Sequence, residues 1–176
     1  MGNVKIIVDH DKIDYSGPVE LTNLFRLISN FIWERGFDYR QEKDFEQNLP
    51  QGKFIEWQKA PWKWITDYHR YIIKIRILGY DLTRMDAMND KKKIKIDNGR
   101  VLIVIDGFIE YDLQGFWEQG PPFLHFMRAM YDNFIYKAYT ERFEQMLVND
   151  LTHLRDHIEK FLNVYRHYAV ISKKGT

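Results

Sequence analysis

The chain contains no cysteine, which excludes disulfide bonds, thiolate metal sites and a cysteine nucleophile and agrees with a reducing compartment. Long apolar runs are absent as well. The apolar stretch near the N-terminus comprises only Ile6 to Val8, which is too short for the core of a signal peptide or for a membrane span. We therefore expect a cytoplasmic protein without a membrane span.

The chain also has no excess of charge of one sign, because its 26 Lys and Arg residues are balanced by 25 Asp and Glu residues, which gives a net charge of +1. Such a chain has no overall attraction to nucleic acid or anionic lipid, so an electrostatic partner requires a local patch. Aromatic residues, in contrast, make up 16% of the 176 residues, and we expect them to build much of the core. Length and composition are typical of one globular domain, which we assign to residues 1–170, with a flexible tail at 171–176.

Catalytic motifs are missing too, because no serine lies in a nucleophile elbow and no glycine-rich phosphate loop occurs. His153 and His157 follow Asp150 at helical spacing, but the first histidine lacks the adjacent glutamate of a metalloprotease helix, so we interpret them as structural. Four polar residues follow the first predicted strand: Asp9, His10, Asp11 and Asp14. We interpret them as part of a solvated loop, and a site of acid–base chemistry is the alternative. We expect no metal, no cofactor and, for want of any positive sign of catalysis, no enzyme.

Two helices are predicted from apolar residues that recur at steps of three and four. The first begins at Pro18, which suits the first turn of a helix, and ends at Gly36. The second is opened by Pro121-Pro122 and runs to about Tyr168 without a further Gly or Pro. At 1.5 Å per residue it would be about 70 Å long, which exceeds a compact domain of this size. It therefore has to bend, break near Asn149-Asp150 or project.

The long predicted helix carries two apolar stripes on nearly opposite faces. The stripe of its first half, which we expect to cover the sheet, consists of Phe123, Met127, Met130, Tyr131 and Phe134. The stripe of its second half follows a heptad rhythm typical of a seam between helices; it consists of Leu147, Leu151, Leu154, Ile158, Phe161, Tyr165 and Tyr168. We prefer packing of this second stripe within the chain, and a homodimer through 147–168 is the alternative.

Strands are predicted from alternation. Val4 to Val8 predicts a short strand, and between Tyr68 and Leu82 the apolar Tyr71, Ile73, Ile75 and Ile77 alternate with Arg70, Lys74 and Arg76, which predicts one buried and one solvated face. Asn98-Gly99 then separates two further alternating segments, and Asn-Gly favours the positive φ angles of a type I′ hairpin turn. The predicted cross-strand pairs are Asp97 with Arg100, Ile96 with Val101, Ile94 with Ile103 and Lys91 with Asp106.

The order of these elements predicts an α+β fold, in which an N-terminal amphipathic helix and a long C-terminal helix pack on a meander-like antiparallel sheet. This order is similar to the helix-grip arrangement of START-like lipid-binding domains. The likeness covers most of the chain and includes no sequence motif. It therefore implies an arrangement of elements and no function.

We expect a non-enzymatic binding protein that holds an apolar small molecule or a protein partner, through the heptad half of the last helix or through the interior between sheet and helix. The residues of that interior are Phe123, Met127, Met130, Tyr131, Phe134, Tyr71, Ile73 and Ile75. The alternative is a nucleic-acid- or ribosome-associated protein with a basic outer sheet face, formed by Lys74, Arg76, Lys93, Lys95 and Arg100. Trp57, Trp62 and Trp64 offer a further patch, which we assign to core or partner contacts in preference to base stacking.

Overall fold

A six-stranded antiparallel sheet and two helices make up the part of the chain that the computed structural model describes, residues 3–38, 41–66, 69–89, 92–111 and 137–173. The elements are β1 Asn3–Val19, α1 Leu21–Glu34, β2 Gln41–Leu49, β3 Gly52–Lys59, β4 Trp62–Thr66, β5 His69–Asn89, β6 Lys92–Tyr111 and α2 Lys137–Lys173. The strand order is β1-β6-β5-β3-β2, and β4 pairs with β5. The predicted α+β fold is confirmed.

The predicted hairpin turn at Asn98-Gly99 is wrong, because both residues lie inside the continuous strand β6. Asn98 pairs with Thr83 of β5 on one side and with Pro18 of β1 on the other. The chain reverses instead between Asn89 and Lys92, which pair with each other. The whole predicted register is therefore replaced by pairing along two strands of 21 and 20 residues.

A bulge in β5 explains why position 99 is a glycine. Tyr80 pairs with Arg100 and Thr83 with Asn98, so two residues of β5 lie opposite Gly99, and one of them, Asp81, has a φ of 52°. A Cβ atom on Gly99 would lie 2.6 Å from the carbonyl oxygen of Tyr80. The glycine is thus required by a close backbone approach and not by a turn.

The new register also changes which residues share a face. Val101 and Ile103 are fully buried in the main core, as predicted. Ile94 pairs with Ala87 and Ile96 with Met85, and Ile96 lies on the other side of the sheet because side chains alternate along an uninterrupted strand. The prediction that all these residues share one face with Ile73 and Ile75 is therefore wrong for Ile96, and the side chain of Ile94 lies outside the described residues.

Strand β1 extends through the segment that was predicted to be a polar loop. Its pairing with β6 is interrupted between Ile6 and Val8 and between Val8 and Asp11, and it then continues to Val19. The loop prediction is wrong because charged and apolar residues alternate here, with Ile13 and Tyr15 buried. The helix after it is confirmed, but Pro18 belongs to β1 and α1 begins at Leu21.

Strand β2 forms one edge of the sheet, and its described side chains are exposed. Pro50-Gln51 connects β2 to β3, since Leu49 pairs with Gly52. Pro61 lies between β3 and β4, and its carbonyl oxygen accepts a hydrogen bond from the backbone N–H of Ile73 at 2.9 Å. Both short strands therefore pair with β5.

Helix α2 continues through Asn149-Asp150 for 37 residues, about 55 Å, so the break considered there does not occur. Its inward stripe is at most 3% exposed and consists of Leu147, Leu151, Leu154, Ile158 and Leu162. These leucines and isoleucine belong to one core cluster with α1 and the sheet, so the first four members of the predicted heptad stripe, Leu147 to Ile158, are buried within the chain. Phe161 and Tyr165 are half-buried, Leu162 lies inward in their place, and the side chain of Tyr168 lies outside the described residues. The first-half stripe at 123–134 lies outside the described residues.

Close contact between α2 and the sheet depends on Gly107. A Cβ atom at this position would lie 2.5 Å from Cδ1 of Leu151. Three further links hold the helix in place: Arg35 forms an ion pair with Asp150, Arg155 forms one with Asp11, and the Tyr165 hydroxyl donates to Glu20 at 2.9 Å. The sheet therefore has a helix-covered inner face and an opposite outer face.

Candidate functional site

The inner face is occupied by the protein's own core where the structure describes it. Of the residues predicted to line an apolar site, Tyr71, Ile73 and Ile75 are buried in the same cluster as the α2 stripe. The Tyr71 hydroxyl donates a hydrogen bond of 2.6 Å to the carbonyl oxygen of Phe143 on α2, and burial raises the pKa of Tyr71 well above its usual range. The other five predicted residues, at 123–134, lie outside the described residues.

The outer face carries an apolar row that crosses four strands. Ile6 of β1 pairs with Phe108 of β6, which pairs with Ile72 of β5, which pairs with Trp62 of β4. Lys5, the neighbour of Ile6, forms an ion pair of 2.5 Å with Glu144 of α2, so Ile6 points away from the helix. We call Ile6, Phe108, Ile72 and Trp62 the apolar row.

A second row adjoins the apolar row and consists of Val4, Glu110, Arg70 and Trp64. Val4 and Ile6 are each 56% exposed and Trp64 is 46% exposed. Val4 and Ile6 on β1 and Trp64 on β4 lie on this face at the two ends of the rows, with the half-buried Phe108 and Ile72 between them. An exposed apolar patch of this kind is typical of an interaction site in a soluble protein.

Arg70 fixes the two tryptophans of this surface. Its guanidinium group lies 5.6 Å from the ring centre of Trp62 and 5.7 Å from that of Trp64, and the rings meet edge to face at 6.3 Å. The same group forms an ion pair with Glu110, with Nε 3.0 Å from Oε2. The guanidinium group contacts both rings and is itself neutralised by Glu110, so Arg70 holds the two tryptophan side chains in position.

Farther along the outer face lie three cations, which we call the basic cluster: Lys12, Lys74 and Arg76. Lys12 and Arg76 both pair with Val104 of β6, and Lys74 pairs with Asp106. None of the three side chains has a hydrogen-bond or ion-pair partner among the described residues, and the Nε atom of Arg76 is buried without an acceptor there. The cluster adjoins the apolar row through Ile72.

The predicted basic residues divide between the two faces. Lys74, Arg76 and Arg100 lie on the outer face, and Arg100 is neutralised by Asp14, with Nε 3.0 Å from Oδ1, which lowers the pKa of that carboxyl group. Lys95 pairs with Asp86 and, by strand alternation, lies on the face opposite to Arg100. Lys93 pairs with Met88, and its side chain lies outside the described residues.

Sequence reasoning missed the contributions of β1 to this surface. Lys12 was placed in a loop and Ile6 in an isolated short strand, whereas both belong to the outer face through their pairing with β6. The alternation of exposed Lys12 and Asp14 with buried Ile13 and Tyr15 was the signal that predicts a strand.

The predicted acidic cluster is split by the structure. At a bulge of β1, Asp9 contacts the ring of His10, and the backbone N–H of His10 donates to Asp106 at 2.7 Å. These three side chains form the one group in the described part of the chain with the spacing of metal ligands. Asp11 and Asp14 instead form ion pairs with arginines on α2 and β6.

The other candidate clusters are also separated. The ring of His157 lies 2.6 Å from the carbonyl oxygen of His153, and Asp150 is paired with Arg35, so these residues do not converge on one point. Trp57 is buried on the inner face, where it stacks on Phe25 at 4.9 Å. The predicted tryptophan patch is therefore reduced to the pair on the outer face.

A buried histidine makes stability depend on pH. His69 is 8% exposed, its Nδ1 lies 2.7 Å from the Thr66 hydroxyl, and desolvation lowers its pKa below 6.5 in the folded state. As the pH falls through 6.5, the unfolded chain binds a proton before the folded chain does, so stability decreases. Between about pH 7.5 and pH 5.5 the urea midpoint should fall less in His69→Gln than in the wild type.

The matched control for this measurement is His153→Gln, since His153 is exposed on α2. It should keep the pH dependence of the wild type. The same pH dependence in His69→Gln and in the wild type would show that another group is responsible.

Comparison with known proteins adds no family to this description. The sequence matches no protein-family model, and neither a curated protein nor a solved structure matches the chain. None of the helices in the described ranges has the length and apolar character needed to cross a membrane. The fold and its two faces are therefore the basis for a functional assignment.

Proposed function

We propose that this chain is a non-enzymatic binding protein whose partner is another protein, bound on the outer face of the sheet. The observation that carries the proposal is the exposed apolar surface formed by the apolar row with Val4 and Trp64. Tryptophan and arginine are enriched among the residues that dominate binding energies. Trp62, Trp64 and Arg70 supply both residue types in one rigid group.

Binding in the interior has less support. In the described residues the sheet contacts α2 directly, because Gly107 has no room for a Cβ atom beside Leu151 and Tyr71, Ile73 and Ile75 are buried in the same cluster as the α2 stripe. The first four members of the heptad stripe, Leu147 to Ile158, are likewise covered by the chain itself. An apolar ligand or a second copy would have to displace these contacts, at a cost in folding stability.

Addition of a partner strand at a sheet edge also has little support. Two register shifts interrupt β1 between Ile6 and Asp11, and β2 is interrupted between Gln41 and Lys43. Bulges and charged side chains of this kind protect edges from pairing. The face of the sheet is the better candidate.

Nucleic-acid binding by the outer face is the weaker alternative. Arg70, Arg100 and Lys43 are each neutralised by a carboxylate, so phosphate groups would have to rely on the three cations of the basic cluster. Arg70, the cation beside the two tryptophan rings, is neutralised by Glu110, so the rings that could stack on bases have no free cation next to them for the phosphate groups.

Site-specific photo-crosslinking tests the proposal. A photoreactive amino acid in place of Ile6 should give a covalent adduct with one protein in an extract of the source cells, because this position lies within the apolar surface. The control position is Trp33 on α1, which is 77% exposed and should give no such adduct. Mass spectrometry of the adduct identifies the partner.

A competition experiment tests whether the adduct depends on the outer face. Unlabelled wild-type protein should abolish the adduct, whereas a Trp64→Glu variant with unchanged thermal stability should fail to compete. An adduct that is removed by nuclease, or the same adduct from position 33, would contradict the proposal, as would the absence of any adduct from position 6.

A further inference from the structure

The basic cluster on the outer face lacks the anions that neutralise its neighbours. Arg70, Arg100 and Lys43 each have an acidic partner on this face. Lys12, Lys74 and Arg76 have none among the described residues. A buried N–H without an acceptor is rare in folded proteins, so the Nε atom of Arg76 in particular indicates a missing acceptor.

Asp106 does not supply this acceptor, although it pairs with Lys74 in the sheet. Its carboxylate accepts the backbone N–H of His10 at 2.7 Å and is directed to the bulge of β1. No ion pair joins it to Lys74 or Arg76 in the described part of the chain. Among the described residues the basic cluster therefore has no anionic acceptor, and a carboxylate of a bound partner would supply one.

The spacing of the cluster defines what that molecule has to present. Lys12 and Arg76 flank Val104 across two strand intervals, so their Cα atoms are about 10 Å apart, and those of Lys74 and Arg76 are about 7 Å apart. Ile72, a member of the apolar row, lies next to Lys74 on the same face of β5. A complementary partner carries carboxylates and apolar side chains close together.

We infer that the partner binds through an acidic segment, whose carboxylates contact Lys12, Lys74 and Arg76 while its apolar side chains pack on the apolar row. This inference rests on the function proposed above and specifies its partner. Carboxylates on a protein segment fit better than nucleic-acid phosphates, because Ile6 and Ile72, the aliphatic half of the apolar row, offer bases no stacking surface but pack on apolar side chains. The guanidinium group of Arg76 suits a carboxylate as well as it suits a phosphate group.

Three labelled synthetic peptides with one spacing of Leu and Phe test the inference, with Glu, Gln or Lys at the remaining positions. Fluorescence anisotropy should give at least about tenfold tighter binding of the Glu peptide than of the Gln peptide. A Lys74→Gln, Arg76→Gln double variant should lose this preference. Lys95→Gln is the control, since Lys95 lies on the other face, and should retain it.

Equal binding of the Glu and Gln peptides would overturn the inference and leave the proposed function intact, because the apolar row alone would then hold the partner. Retention of the preference by the double variant, when its urea midpoint equals that of the wild type, would also overturn it. Displacement of the Glu peptide by a single-stranded oligonucleotide would overturn both the inference and the proposed function.

Discussion

Gly99→Ala is expected to lower the free energy of unfolding by about 1–3 kcal/mol, the usual cost of forcing an extra carbon into a filled space. Propensity alone predicts the opposite, since alanine is favoured over glycine inside a strand by about 0.5–1 kcal/mol. The close approach of the β5 backbone to Gly99 determines the sign of the change in the free energy of unfolding. The new Cβ atom would meet the backbone carbonyl oxygens of Tyr80 and Asp81 at 2.6 and 3.1 Å, and backbone atoms in a paired bulge cannot move aside as a side chain can.

Asn98→Ala is the matched control at the neighbouring position, because its expected effect on stability differs between a strand and a turn. In a type I′ turn Asn98 needs a positive φ, which alanine adopts poorly. In β6 it has no positive φ, so the variant should stay within about 0.5 kcal/mol of the wild type. Urea unfolding measures both values. If both variants lose the same stability, the strand assignment at this position is contradicted.

This site shows the limit of local sequence signals. Asn-Gly between alternating segments favours a hairpin because both residues tolerate positive φ. A glycine is equally required where another backbone comes close, and the residues that approach Gly99 are Tyr80 and Asp81. No pattern around position 99 identifies that distant contact. The lengths of β5 and β6 added to the error, since strands of about 20 residues lie far above the usual length.

A local sequence pattern that repeats over several residues was sufficient to predict the element and its buried face. The alternation from Tyr71 to Ile77 gave the correct buried face, and the helical spacing from Leu21 to Ile32 gave the amphipathic helix α1. Each pattern spans several residues, so a single ambiguous position does not change the outcome.

The candidate site was only partly accessible to the same reasoning. Lys74 and Arg76 were assigned to the correct face, because that assignment needs only the alternation within β5. Ile6 and Lys12 join them through a register that depends on two bulges in β1. A shift of one residue changes every side chain to the other face, and sequence alone did not locate the bulges.

The two faces of the sheet differ in burial, and we propose that folding depends on one face and binding on the other. The inner face holds the residues that are least exposed and contacts both helices. The outer face leaves Val4, Ile6 and Trp64 accessible without weakening that core. Substitutions on the outer face should therefore change binding with little loss of stability, which makes the proposed surface testable by mutation.

Leu154→Ala is expected to lower the free energy of unfolding by about 2–5 kcal/mol, the range found when a buried leucine is truncated. Leu154 has no exposed surface and lies in the middle of the stripe by which α2 packs on the sheet and α1. Met146→Ala on the same helix is the control. Met146 is 50% exposed, so its loss should cost less than about 1 kcal/mol.

Protein concentration separates packing within the chain from packing between two copies. Because the stripe is covered by the same chain, the urea midpoint of the wild type should be independent of concentration, and Leu154→Ala should lower it equally at every concentration. If the stripe joined two copies, stability would rise with concentration by mass action. Such a rise, lost in Leu154→Ala and kept in Met146→Ala, would contradict the intramolecular assignment and support a dimer through 147–168.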